Sequence, residues 1–293
     1  MGNNYNAAVV GAGPGGLSSV AALLNAGAQK ILCVDPTWRG GRLNGLYRDI
    51  SSNTTVAIYL KAIHFSDTLR SIIDSTPAPN AVTKLESMDH SSTCQLSVAG
   101  DMICLLIEGL LARPEVEKLT TTVDGAHLEL MRHSERHLDH PNNALNLRPQ
   151  SPPHYLLHRL PPANLHNIQS PQPNLKRLDL DDCMRRSHLP SILPTDKPST
   201  VAVVDNSHSG VLVVRNLYEI AESGERALRS INFHRRPIRY AIYTDDGIFD
   251  NTGLKGATAE WAREVLEKDP DPDILQSVCD CEDEDHVLGE YLP

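Results

Sequence analysis

The run AAVVGAGPGGLSSVAALLNAGAQKILCVD, residues 7–35, decides the fold. Residues 7–10 form a short apolar stretch of the kind that becomes a buried strand, and the glycine-rich GAGPGG follows at once. Leu17, Val20, Ala21 and Leu24 then recur at the spacing of one helical face. Gly27, just past that face, suits a helix C-cap. Ile31 to Val34 is a second apolar stretch, and Asp35 ends it.

Strand, glycine turn, helix, strand and acid, in that order, make the first unit of a Rossmann-type dinucleotide-binding domain. Gly11, Gly13 and Gly16 supply the GxGxxG spacing, with Ala12, Pro14 and Gly15 between them. Gly11 permits the tight turn out of the strand. Gly13 lets a pyrophosphate approach the bare backbone. Gly16 lets the helix pack close to the sheet. The helix N-terminus adds free N–H groups and about half a positive charge. Asp35 can accept hydrogen bonds from ribose hydroxyls, and its charge would repel a 2′-phosphate. These residues suit FAD and NAD alike.

Outward from this unit, residues 38–56 (WRGGRLNGLYRDISSNTTV) lack a regular period and are expected as a long ordered loop. Met102 to Leu111 predicts a helix, stopped by Pro114. Val116 to Leu130 predicts strands around a turn at Asp124-Gly125. Residues 133–198 change character: half of the 20 prolines lie between Pro149 and Pro198. An irregular linker is expected there. Order returns with a strand at Val201–Val204, a helix from Val211 to Ala221 ended by Gly224, and a hairpin from Ile238 to Phe249. Residues 256–267 predict an amphipathic helix, and the acids from Glu267 to Asp285 a solvated tail. VVGAGPGGL (9–17) and VVDNSHSGV (203–211) align as an internal repeat, so the chain carries two nucleotide-type units. The expected organisation is a dinucleotide-binding domain at 1–132, the linker at 133–198, a second nucleotide-binding domain at 199–268 and a tail, or a truncated return to the first domain, at 269–293.

Composition narrows the function classes. The formal net charge of -10 argues against nucleic acid and acidic membranes as partners. No stretch approaches the length of a membrane span, and the N-terminus lacks the basic start of a signal peptide. The six cysteines are scattered without a CxxC, as in a cytoplasmic protein with reduced thiols. His133, His137 and His140, and His154 and His158, have helical spacing but no carboxylate or thiol arranged with them, so no metal site is expected. No GxSxG is present. Trp38 and Trp261 are expected as packing residues.

GAGPGGLSSVAALLNAG resembles the FAD motif of two-dinucleotide flavoproteins. VDPTWRGGRLNGLYRDISSNT resembles the segment after the acid in fungal FAD/NAD(P)-dependent oxidoreductases, relatives of the lysine and ornithine N-hydroxylases and other class B flavin monooxygenases. STVAVVDNSHSGVLVVRNLYE and DNTGLKGATAEWAREVLE are similar to that group's nicotinamide region. The resemblance implies an α/β fold with a Rossmann-type FAD domain and a second, smaller Rossmann-like domain. It also implies FAD as cofactor, NAD(P)H as reductant, and oxygen transfer to a small-molecule substrate. It places Arg42, Asn44 and Asn53 near the flavin, Val123 near the adenine, and Asn206, Ser207, His208 and Ser209 in the second phosphate loop. Arg42 and Asn53 could equally serve to hold their loop through backbone hydrogen bonds.

Three departures from that pattern leave other readings open. Asp205 stands at the first glycine position of the second motif, where its charge would face incoming phosphates. No hydrophobic strand ending in Ala-Thr-Gly occurs between 131 and 198. No late strand ends in Gly-Asp. The alternatives are a catalytically impaired, truncated remnant of the family and a single-cofactor NAD-binding enzyme.

Overall fold

The computed structural model describes residues 5–125, 176–195, 197–234, 236–244, 247–268 and 274–278. The fold is mixed α/β with two three-stranded parallel sheets. The chain divides into two compact units. Among the described residues, the first takes in 5–45, 62–80 and 101–125, and the second takes in 46–61, 81–100 and everything from 176 onward. Residues 46–61 and 81–100, expected with the FAD-type domain, thus cluster with the second unit.

The first unit opens with β1 (Ala7–Val10), α1 (Pro14–Asn25) and β2 (Ile31–Val34). β1 and β2 pair in parallel, Ala7 with Ile31 through Val10 with Val34. Pro14 sits at the start of α1, where its fixed φ suits the helix and its missing N–H costs nothing. Gly27 leaves the helix in the left-handed conformation, φ +85°. All four residues of β2 are buried, as a strand covered on both faces requires. Residues 41–55, expected as loop, hold α2 (Gly41–Leu46) and β3 (Ser51–Thr55). Next come α3 (Val56–His64), α4 (Asp67–Ser75), α5 (Ala81–Glu86), β4 (Thr93–Gln95) and α6 (Leu96–Leu111). α6 starts six residues before the expected Met102. β5 (Val116–Leu119) pairs in parallel with β2, giving the order β1-β2-β5. Ile31, Ile63, Leu106 and Leu110 are among the aliphatic side chains buried in this unit.

Beyond β5 the described chain reaches Gly125 without a further strand. The far arm of the expected hairpin, and the proline- and histidine-rich segment up to residue 175, lie outside the described residues. The end of that segment holds two short helices, α7 (Leu180–Met184) and α8 (Leu189–Ile192).

In the second unit β3 and β4 form an antiparallel pair. β6 (Ser199–Val204), α9 (His208–Glu222) and β7 (Leu228–His234) repeat the opening of the chain, with β6 and β7 parallel. The expected hairpin is present as β8 (Ile242–Thr244) and β9 (Gly247–Asp250). The expected helix at 256–267 is α10 (Gly256–Trp261), continued as a π-helical stretch over Ala262–Lys268. Within the expected acidic tail, Ile274–Val278 is a strand, β10, parallel to β7. The rest of the expected tail, residues 269–273 and 279–293, lies outside the described residues. Val211, Val214, Leu217 and Ile220 on the inner face of α9 pack in one core with Leu189 and Leu254. The order β10-β7-β6 matches β1-β2-β5: in each sheet the second strand is central and the third lies beyond it.

Candidate functional site

The first glycine turn lies in the first unit, at the C-terminal end of β1. Gly11 has φ +100°, a conformation that a side chain strains, and its N–H donates to Val34 O at 2.7 Å. A Cβ on Gly16 would lie 1.8 Å from Gly11 O, so helix and turn touch backbone to backbone there. Gly13 differs. It has φ -90°, and a Cβ there would meet only Gly41 Cα at 3.6 Å and Gly40 O at 3.8 Å, ordinary contacts. The fold therefore requires glycine at 11 and 16 but not at 13. A ligand lying on the backbone would require it. No side chain caps the N-terminus of α1.

Asp35 turns into this turn and is 6% exposed. Its Oδ2 accepts from Ala12 N at 2.7 Å. Its Oδ1 accepts from Thr37 N at 2.8 Å, Thr37 Oγ1 at 3.2 Å and Trp38 N at 2.7 Å. Burial alone would raise its pKa. The bonds from Ala12, Trp38 and Thr37 outweigh burial and hold the carboxyl below its ordinary value. The site thus contains a fixed negative charge at the tip of β2.

A second glycine pair faces the first. Gly40 and Gly41 have φ +77° and +64°, and a Cβ on Gly41 would lie 2.8 Å from Gly13 Cα. The Gly40-Gly41 backbone therefore lies against the turn, a contact that the sequence signals only as a GG pair in a polar run. Arg42 is the second residue of α2, in the same unit, and is half-buried. Asn44 Nδ2 lies 3.0 Å from Cys104 Sγ, and Val123 is half-buried in the chain beyond β5. The structure so brings Gly11–Gly16, Asp35, Arg42, Asn44 and Val123 into one unit.

Asn53 lies in the second unit. Its Nδ2 donates to Gly253 O at 3.1 Å and its Oδ1 accepts from Lys255 N at 2.8 Å. Both ends of the amide thus bond the backbone of the segment at 253–255, not that of the loop around Asn53 itself. The segment at 253–255 includes the buried Lys255, which is 2% exposed, with Nζ donating to Asn251 O at 2.7 Å and Gly253 O at 3.1 Å. A Cβ on Gly253 would lie 2.1 Å from Tyr240 C, so the loop is seated tightly. Sequence reasoning missed Lys255, because a lysine in a polar loop gives no sign of burial.

The second turn lies at the C-terminal end of β6. Gly210 fills the role of Gly16: a Cβ there would lie 2.6 Å from Asp205 O. Asp205, in the place of Gly11, folds back over the turn. Its Oδ1 accepts from Asn206 N at 2.8 Å and Ser207 N at 3.0 Å, and its Oδ2 accepts from Ser207 Oγ. Asn206 Nδ2 donates to Arg236 O at 3.0 Å. His208 and Ser209 open α9, both half-buried. Burial, then the Lys255 charge, push the His208 pKa down, so its imidazole is neutral near neutral pH. Val10 pairs with Val34 before Asp35, and Val204 pairs with Phe233 before His234. The second unit therefore has His234 where the first has Asp35.

Cys33 and Cys183 are buried free thiols, pushed up by burial to about 12 and about 11, which leaves them unreactive. Among the described residues no His, Cys, Asp and Glu gather as a metal-ligand set, and no helix is long and apolar enough to cross a membrane.

The chain is 37% identical over 267 residues to the monooxygenase AgnR1 of Paecilomyces divaricatus, an alignment covering 90% of the chain and 68% of that protein. The chain belongs to the AgnR1 monooxygenase family. No family model matches it, and no solved structure matches it. The glycine turns, Asp35 and the Asn53–Lys255 loop are thus features of an AgnR1-family chain.

Proposed function

We propose that this AgnR1-family chain is an FAD-dependent monooxygenase acting on a small molecule, with FAD held by the first glycine turn. The observation that carries the reading is the bare Gly13. The backbone at this position tolerates a side chain, yet it lies at the mouth of α1 beside a buried, ionised acid. A diphosphate needs that bareness and the fold does not. In this reading the amides at the start of α1 hold the diphosphate. Asp35 Oδ2, with one protein donor at 2.7 Å, accepts from a ribose hydroxyl. When bound, the flavin supplies the electron transfer and oxygen activation that no side chain can. The protein binds it, orients it and keeps water from it.

The second turn does not fit a dinucleotide in the same way. Asp205 already occupies the N–H groups of Asn206 and Ser207, so a phosphate would have to displace a carboxylate of its own sign.

The test is the spectrum of the freshly isolated protein. Bound flavin gives a yellow protein absorbing near ~450 nm. A colourless protein that takes up no FAD on reconstitution sinks the reading. Stabilisation by NAD and not by FAD in a melting assay would instead assign the first turn to a nicotinamide cofactor.

A further inference from the structure

Trp38 combines an unusual backbone with a half-buried ring. Among the described residues it is the one non-glycine residue with left-handed backbone, φ +57°. A bulky side chain in that conformation is strained, and such strain gathers where ligands are clamped. The conformation directs Trp38 N onto Asp35 Oδ1 at 2.7 Å. The ring is then fixed at two points. Nε1 donates to Thr120 Oγ1 at 2.9 Å, and Lys118 Nζ stands 4.9 Å from the ring centroid, a cation over the indole. Thr120 and Lys118 belong to the end of β5 and the residue after it, so the indole bridges the tips of β2 and β5. It is half-buried there, not enclosed in the core.

We propose that the Trp38 indole is the platform on which the adenine of the dinucleotide stacks. The inference rests on the reading of the first turn as an ADP-binding site. A ribose held by Asp35 carries its base toward the residue whose N–H shares that carboxylate. Lys118 occupies one face of the ring and holds it in place. The opposite face takes the base, because a flat π-system accepts a base without needing any particular hydrogen-bond pattern. Asp35 and Trp38 then divide the work: the acid fixes the sugar and the ring fixes the base.

The chain has two tryptophans, so Trp261→Phe leaves Trp38 as the reporter. In that variant ADP is expected to quench the indole fluorescence, and inorganic pyrophosphate, which has no base, is expected not to. Trp38→Gly removes the ring while suiting the left-handed backbone. It is expected to keep its melting temperature and to weaken ADP binding about 5- to 150-fold, the range for loss of one base–aromatic stack. Pyrophosphate affinity should stay unchanged. If ADP binds by calorimetry without quenching, and Trp38→Gly binds it equally well, the stacking platform is wrong while the ADP site stands. If neither ADP nor FAD binds the wild type, both readings fall together.

Discussion

The two glycine turns of this chain fold alike and treat the same amides differently. In the first, the acid comes from the tip of the neighbouring strand: Asp35 reaches across to Ala12 N at 2.7 Å and leaves the next amide, at Gly13, without a carboxylate. In the second, the acid sits inside the turn: Asp205 takes Asn206 N, the counterpart of Ala12 N, and also Ser207 N, the counterpart of Gly13 N. The strand tip there carries His234 instead of an acid. The difference teaches that strand, turn and helix can persist while the ligand seat is filled from within. An acid one strand away orders the turn and spares the seat. An acid within the turn orders it by occupying the seat.

The comparison breaks first at the glycines that both turns share. Gly16→Ala and Gly210→Ala each push a Cβ into backbone, at 1.8 Å and 2.6 Å. Each is expected to cost roughly 3 kcal/mol or more, the range for severe overpacking. Chemical denaturation would measure this, and a large loss in only one of the two would end the claim that the turns are equivalent. Gly13→Ala should do the opposite. It meets ordinary contacts and should fold as the wild type does, yet weaken FAD by roughly 10- to 150-fold, as for disturbed hydrogen bonds to a charged group. Flavin retained per mole of protein is the measurement. Full retention would mean that the diphosphate lies elsewhere.

Asp205→Gly empties the second seat. It should improve ADP-ribose binding at this turn by about fivefold or more, from the relief of roughly 1 kcal/mol of like-charge repulsion. Melting-temperature shifts with ADP-ribose, read against the wild type, test it. An unchanged shift would locate the obstacle in the rest of the turn. The smallest effect is on pH dependence. Asp35 has a depressed folded pKa, so its contribution is present above the ordinary carboxylate value and lost only as pH falls through the lower, folded one. His208 has a depressed folded pKa as well, but as a base. Below about pH 6.5, its ordinary value, the unfolded chain takes up a proton that the folded imidazole resists, and stability declines. Hydrogen exchange followed from pH 7 to 5 should therefore loosen the turn at 205–210 before the turn at 11–16. Simultaneous loosening would remove the electrostatic contrast.

The sequence makes the first turn legible because its signals are local and mutually consistent. Glycines at fixed spacing, two buried strands and a one-sided helix all indicate one answer. The second turn is legible by repetition, and the conflict of Asp205 with a phosphate is visible from charge alone. That Asp205 satisfies itself on its own amides is not, because it depends on the turn's three-dimensional form. α2 and β3 escape reading because GRLNGL and SSNTT carry no apolar period. β10 escapes because five residues, ILQSV, lie among acids and prolines that suggest a tail. The role of Asn53 depends on partners at 253 and 255, a separation that no local pattern encodes.

That separation has a temporal side. A ribosome adds about 5–20 residues per second. Asn53 is therefore made roughly 10 to 40 s before the Gly253 carbonyl and Lys255 amide that it holds, about 200 residues later. Residues 46–61 and 81–100 belong to a unit whose central strands are not yet synthesised. During that interval the antiparallel pair of β3 and β4 has no finished neighbour to fold against, so this part of the second unit completes its packing only when the last third of the chain arrives.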